Sequence, residues 1–140
     1  MVALAITAAQ VLPDTAYPTR TGTSAVAIAA GQAVYLDPAT NTVKLWTATG
    51  AIATSIAPGI AINSAPGAGQ PIVWQEAAGA EVTVGAAAAP VAGTAYVGGA
   101  TAGAVHPQVD AIATWNVALI GFGKTGNKIK LTPFNSTVTL

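Results

Sequence analysis

Apolar and polar residues alternate along residues 43–46, directly after a turn-forming segment. Val43 and Leu45 share one face of the predicted strand, and the intervening residues share the other, which is typical of a half-buried strand. Residues 34–37 form a second strand-like run, and the Pro, Asn and Asp residues around 38–41 favour a reversal of the chain. This pattern predicts a β-hairpin.

A second hairpin is predicted near the end of the chain. Residues 116–122 and 127–131 are strand-like and flank a short segment that begins and ends with glycine. In the second of these strands Ile129 and Leu131 alternate with two lysines. We therefore expect the two aliphatic side chains to face a core and the lysines to face solvent.

Short strand candidates lie between the hairpins at intervals near ten residues, which is typical of a small sandwich or barrel. Fifteen Gly and nine Pro interrupt nearly every stretch that could be helical. One helical turn after Pro107 is the exception. The predicted fold is all-β, a small single-domain β-barrel or sandwich of short antiparallel strands. The intermediate strand candidates are residues 59–63, 72–75, 81–84, 94–97 and 104–105.

The first part of the chain lacks turn-bounded strands. We therefore predict an extended N-terminal arm over residues 1–24, followed by a single β-domain over residues 25–140. No Lys or Arg precedes the short apolar run at the start, so it does not resemble a secretory signal. An arm of this kind is expected to cross to a neighbouring subunit.

Charge is scarce, which excludes several classes of function. Five Lys and Arg balance five Asp and Glu, and only 7% of the residues are charged. A protein that binds nucleic acid through phosphate contacts needs a basic excess, so we expect no nucleic-acid partner. No long apolar run free of Gly and Pro predicts a membrane span. The absence of Cys excludes disulfides and thiolate chemistry.

Candidate catalytic residues are few and scattered. The single histidine, His106, could act in a Ser-His-Asp triad with Asp110 or Asp37, but no serine has a nucleophile-elbow sequence around it. Glu76 and Glu81 are close in sequence, and we expect them to flank a turn between strands and not a catalytic cleft. We expect no enzymatic activity, no metal and no cofactor.

Three tryptophans offer two alternatives. Trp46, Trp74 and Trp115 lie within or next to predicted strands. They can supply apolar burial in a core or a subunit interface, because large aromatic side chains contribute most of the burial in an Ala-rich chain. Alternatively, they can form an exposed platform that stacks on sugar rings.

Four segments share an order of turn and strand residues with a known group. They are Pro58-Gly-Ile-Ala-Ile-Asn-Ser-Ala-Pro-Gly-Ala-Gly-Gln-Pro-Ile-Val-Trp74, Gly93-Thr-Ala-Tyr-Val97, Gly103-Ala-Val-His-Pro107 and Val117-Ala-Leu-Ile-Gly121. This order resembles that of small capsid decoration (cement) proteins of tailed bacteriophages. The likeness covers residues 25–135.

The resemblance implies a structural protein of the virion. Such proteins have a compact β-fold and bind the exterior of an assembled icosahedral capsid, often as homotrimers at local threefold positions. The implied partners are the major capsid protein and two further copies of this chain, with neither nucleic acid nor membrane involved. The resemblance carries no catalytic residue and no cofactor.

An interface hypothesis follows from the arm and the aromatic side chains. Its members are Pro13, Asp14, Tyr17, Arg20, Trp46, Trp74 and Trp115. The alternative function is a carbohydrate-binding β-module of a fibre or adhesin that uses the three tryptophans on its surface.

Overall fold

The computed structural model describes residues 3–49 and 56–139, and these form two antiparallel five-stranded sheets. The expected all-β fold is confirmed, as a sandwich and not as a closed barrel. Two short 3₁₀ turns, Ala8–Gln10 and Gln108–Asp110, accompany the strands. The strands are β1 Arg20–Thr23, β2 Ala33–Asp37, β3 Thr42–Leu45, β4 Gly59–Ala61, β5 Pro71–Gln75, β6 Glu81–Thr83, β7 Ala95–Gly98, β8 Val105–Pro107, β9 Asn116–Lys124 and β10 Lys128–Thr139.

The first sheet has the strand order β1-β5-β4-β2-β3. A parallel bridge between Ser24, just after β1, and Val43 in β3 brings its two edges together. The sheet therefore curls around its own apolar cluster, which includes Val34, Val43, Ile72 and Trp74. The predicted hairpin of β2 and β3 is confirmed, with a turn at residues 38–41.

The second sheet has the strand order β6-β10-β9-β7-β8. Its inner face packs against the first sheet in a shared core, to which β10 contributes Ile129 and Leu131 and the first sheet contributes Tyr35 and Ile60. The alternation predicted for the second hairpin is confirmed, because both aliphatic residues are fully buried. The predicted helical turn after Pro107 is also confirmed, as a 3₁₀ turn.

The extended N-terminal arm is not confirmed, because the described part of this segment is bonded to the domain. The Leu4 amide donates to the Val105 carbonyl of β8, and Leu12 exchanges two backbone hydrogen bonds with Thr83 of β6. Leu4 and Ile6 pack on the shared core. The segment is apolar and lies beside the edge strands β6 and β8. Its position within the domain buries its apolar side chains and supplies partners for backbone groups of both edges.

None of the helices in residues 3–49 and 56–139 is long and apolar enough to cross a membrane.

Candidate docking face

The outer face of the second sheet presents large side chains to solvent. Residues directly opposite one another in a sheet point to the same side, and the register pairs Phe122 with both Lys130 and Ala95. A second row pairs Leu119 with Phe134. We call this surface the docking face. Its apolar residues are Ala95, Val117, Leu119, Phe122 and Phe134, and its charged residues are Glu81, Lys124, Lys128 and Lys130.

The apolar half of the docking face centres on two phenylalanines. Phe134 is 63% exposed and Phe122 is 41% exposed. They line a shallow groove of about 170 Å³ together with Val117 and Leu119. Exposure of such side chains next to one another is unfavourable in water and usually marks a surface that another molecule covers.

The charged half lies at the hairpin end of the same sheet. Lys124 Nζ lies 3.0 Å from Glu81 Oε1, and this contact is the main reason that the pKa of Glu81 lies below its ordinary value. Lys128 and Lys130 lower the same pKa further by their charge. Three of the five cationic side chains of the protein therefore lie on the docking face, and Lys130 lies directly opposite Phe122 of the apolar half.

The sequence did not single out Phe122 or Phe134, although a signal was present for the first. Phe122 lies opposite Lys130, so it shares the outward direction that alternation assigned to the lysines. Phe134 follows Pro133, where the strand was expected to have ended. A register shift between Leu131 and Phe134 accommodates the proline and lets β10 continue.

Of the four predicted interface residues of the N-terminal segment, Pro13 and Asp14 line a pocket together with Glu81 and Lys128 of the docking face. The Asp14 carboxylate accepts hydrogen bonds from the amides of Glu81 and Ala16, which lower its pKa. Arg20 Nη1 lies 2.6 Å from Glu76 Oε1.

Pro13 is half-buried, and the Tyr17 ring packs over Gly79 and stays 39% exposed. These side chains lie at the surface of the domain, but the Asp14 carboxylate is occupied by hydrogen bonds to backbone amides of the same chain.

The three tryptophans do not lie on the surface, and their proposed place in an exposed interface or sugar platform needs correction. All three side chains are buried. The Trp46 indole N–H donates to the Ile56 carbonyl, and Arg20 covers the Trp74 ring at 5.1 Å from its centroid. Trp115 packs edge-on against His106. Burial of these rings stabilises a chain that has few other large apolar side chains, and none of the three indole rings presents an open face on which a sugar could stack.

The fold brings His106 and Asp110 together, which is the His-Asp pair needed for one of the two possible Ser-His-Asp triads. His106 Nδ1 lies 3.2 Å from Asp110 Oδ2. The hydroxyl groups of Ser24, Ser64 and Ser136 form hydrogen bonds to backbone groups elsewhere, and Ser55 lies outside the described residues. The triad is therefore not assembled from the described serines.

Within the described residues, no group of three or more His, Asp or Glu side chains is arranged to hold a metal ion. Glu76 and Glu81 bond to different cations, Arg20 and Lys124 respectively.

A scan against protein-family models and a search of curated proteins found no match to this chain.

Proposed function

We propose that this chain is a structural protein that binds the exterior of an assembled viral capsid through the docking face and stabilises the shell, as a homotrimer. The observation that carries the proposal is the pair of exposed phenylalanines, Phe122 and Phe134, on a long antiparallel hairpin. The resemblance of the four turn-and-strand segments to capsid decoration proteins supports the choice of partner. The position in the virion is then the outer surface, and the capsid protein is the subunit that the chain contacts.

The surface has the features of a binding site on a rigid platform. The hairpin of β9 and β10 is held on its inner side by Ile120, Ile129 and Leu131, all fully buried. The groove therefore keeps its shape when a partner docks, and little ordering entropy opposes binding. Aromatic side chains at the centre of an interface commonly contribute most of the affinity, and the lysines at its edge favour a partner with nearby carboxylates.

Co-sedimentation with shells assembled from the major capsid protein encoded in the same genome tests the proposal. We expect the wild-type chain to sediment with the shells and to add density on their outer surface in images. The double substitution Phe122→Ser and Phe134→Ser should weaken binding by about tenfold or more. Failure of the wild-type chain to bind would overturn the proposed function.

A matched control shows whether the loss of binding is specific to the docking face or follows from any exposed apolar-to-serine substitution. Val26 is 43% exposed and lies outside the docking face, so Val26→Ser should bind shells as the wild type does. If the double Phe variant folds and binds equally well, the docking face is not the contact surface. Light scattering on the isolated chain tests the trimer, and a monomer at all concentrations would contradict that part.

A further inference from the structure

A second cavity lies beside the docking face, next to the 3₁₀ turn Gln108–Asp110. It has a volume of about 410 Å³ and is open to solvent. Val109 and Ile112 form an apolar rim and are 72% and 62% exposed, while Trp115 closes the wall. A cavity with such walls favours an organic ligand over a hydrated inorganic ion.

A buried carboxylate also lines this cavity. The side chain of Asp110 is only 4% exposed. Its Oδ2 atom accepts a hydrogen bond from His106 Nδ1, but its Oδ1 atom is buried and has no hydrogen-bond partner. A carboxylate removed from water without compensation is unfavourable, so a buried oxygen of this kind calls for a donor.

Three of the five cationic side chains of the chain are engaged in ion pairs elsewhere. Arg20, Lys44 and Lys124 pair with Glu76, Asp37 and Glu81 respectively.

Lys128 and Lys130 lie on the docking face, where they act on Glu81. Among the described residues, His106 is therefore the one basic side chain in contact with Asp110. The described residues leave Asp110 Oδ1 without a donor, so a donor group from another molecule can occupy this position.

We infer that the cavity beside Asp110 binds a primary alkylammonium group. The ammonium donates to Oδ1 and compensates the charge, and the alkyl chain lies along Val109 and Ile112. Asp110 lines the cavity, and rotation about its soft Cβ–Cγ bond brings Oδ1 toward the cavity while it lengthens the contact between Oδ2 and His106 Nδ1.

Two sources can supply this group. One is a free aliphatic amine, and the other is a lysine side chain on another protein subunit. The second source rests on the proposed function, because it makes the cavity an anchor point beside the docking face. The first source is independent of it.

An NMR titration of the isolated, labelled chain tests the inference without any capsid. The readouts are the indole N–H signal of Trp115 and the ring signals of His106, which lie at the cavity wall. n-Butylammonium should shift both signals and bind at least about tenfold more tightly than 1-butanol, which has the same alkyl chain without the charge. Equal binding of the two, or no shift with either, would overturn the inference.

Substitutions locate the binding site. Asp110→Asn should reduce butylammonium affinity by about tenfold, and Ile112→Ser, at an exposed rim position, should reduce it by severalfold. Glu76→Gln is the matched control, because that carboxylate lies with Arg20 away from the cavity, and its affinity should equal that of the wild type. Wild-type affinity in the Ile112→Ser and Asp110→Asn variants would place the amine elsewhere and contradict the inference.

The two sources are separated by a second ligand. Nα-acetyl-lysine amide should match or exceed butylammonium if the cavity accepts a lysine side chain from a protein. Binding of butylammonium alone assigns the cavity to a small amine. Because neither titration uses capsid shells, failure of the amine-binding inference is distinguishable from failure of the proposed function.

Discussion

Individual carboxylates in this protein are held by specific donors. Asp37 Oδ2 lies 2.7 Å from Lys44 Nζ across the first hairpin, and its other oxygen accepts the Ala39 amide. These contacts hold the pKa of Asp37 below its ordinary value, with the lysine as the larger cause. Asp14 is held in the same direction chiefly by backbone amides. The few charges of the chain therefore fix turns and connections.

These lowered pKa values predict a loss of stability in acid. A carboxyl group whose pKa is lower in the folded than in the unfolded state stabilises the fold above its unfolded value, and this contribution disappears as the pH falls through the folded value. The free energy of unfolding, measured by urea denaturation, should therefore decrease as the pH is lowered below about 4.

Substitutions in the hairpin of β2 and β3 test whether the contact between Asp37 and Lys44 causes this pH dependence. Asp37→Asn should be less stable than the wild type at neutral pH and should lose less stability on acidification. Lys44→Met keeps the carboxyl group but removes the main cause of its shift, so it should also flatten the pH dependence. Wild-type pH dependence in both variants would contradict this assignment.

Strands and segments are joined by buried polar side chains as well as by backbone pairing. Gln75 lies at the end of β5 and is fully buried. Its Oε1 accepts the Asp14 amide, and its Nε2 donates to the carbonyls of Asp14 and Tyr17. The side-chain amide of Gln75 thus fixes residues 14–17 of the N-terminal segment to the first sheet, whereas the preceding residues of that segment are bonded to the second sheet.

Replacement of this amide should loosen the connection. Gln75→Leu leaves backbone groups of Asp14 and Tyr17 without partners, so the free energy of unfolding should fall by about 1–3 kcal/mol. Hydrogen exchange at the Asp14 amide should become faster. Gln70→Leu is the control, because the Gln70 residue is exposed, and its stability should stay within about 0.5 kcal/mol of the wild type. An unchanged denaturation midpoint in Gln75→Leu would be contrary to this role.

The whole molecule depends on contacts between distant parts of the chain. The two sheets share one core, the first sheet encloses a second, and the N-terminal segment bonds to both edge strands of the second sheet. Val11 from that segment is itself buried. The segment is therefore a structural part of the domain, and its removal should affect folding before it affects any partner.

Deletion of residues 1–13 should destabilise the isolated chain by at least about 2 kcal/mol, because it exposes core side chains and leaves the Thr83 amide of β6 and the Val105 carbonyl of β8 without partners. The measurement is the denaturation midpoint in the absence of shells. Leu12→Ser is the control within the same segment, because Leu12 is 58% exposed and should tolerate a polar side chain. A truncated chain as stable as the wild type would support a dispensable arm instead.

Prediction from the sequence succeeded where short-range alternation and turns control structure. Ile129 and Leu131 face the core because period-two alternation leaves no other arrangement once a strand forms. β1 was missed because Arg20–Thr23 is polar and has no apolar alternation, and its pairing with β5 supplies what its sequence lacks. The strand end predicted near residue 131 was wrong because local rules stop a strand at Pro133, whereas a register shift carries β10 past it.

By itself, the sequence determined the all-β class, the two hairpins and the inward direction of Ile129 and Leu131, because these depend on turn residues and on the two-residue repeat of a strand. Only the tertiary structure decided which apolar residues are exposed. It buries Trp46 and Trp74 and leaves Phe134 in solvent, although all three are large and apolar. It also placed Asp110 and its buried oxygen at a cavity wall. Burial is a property of which surfaces meet, and pairing between distant segments sets that arrangement.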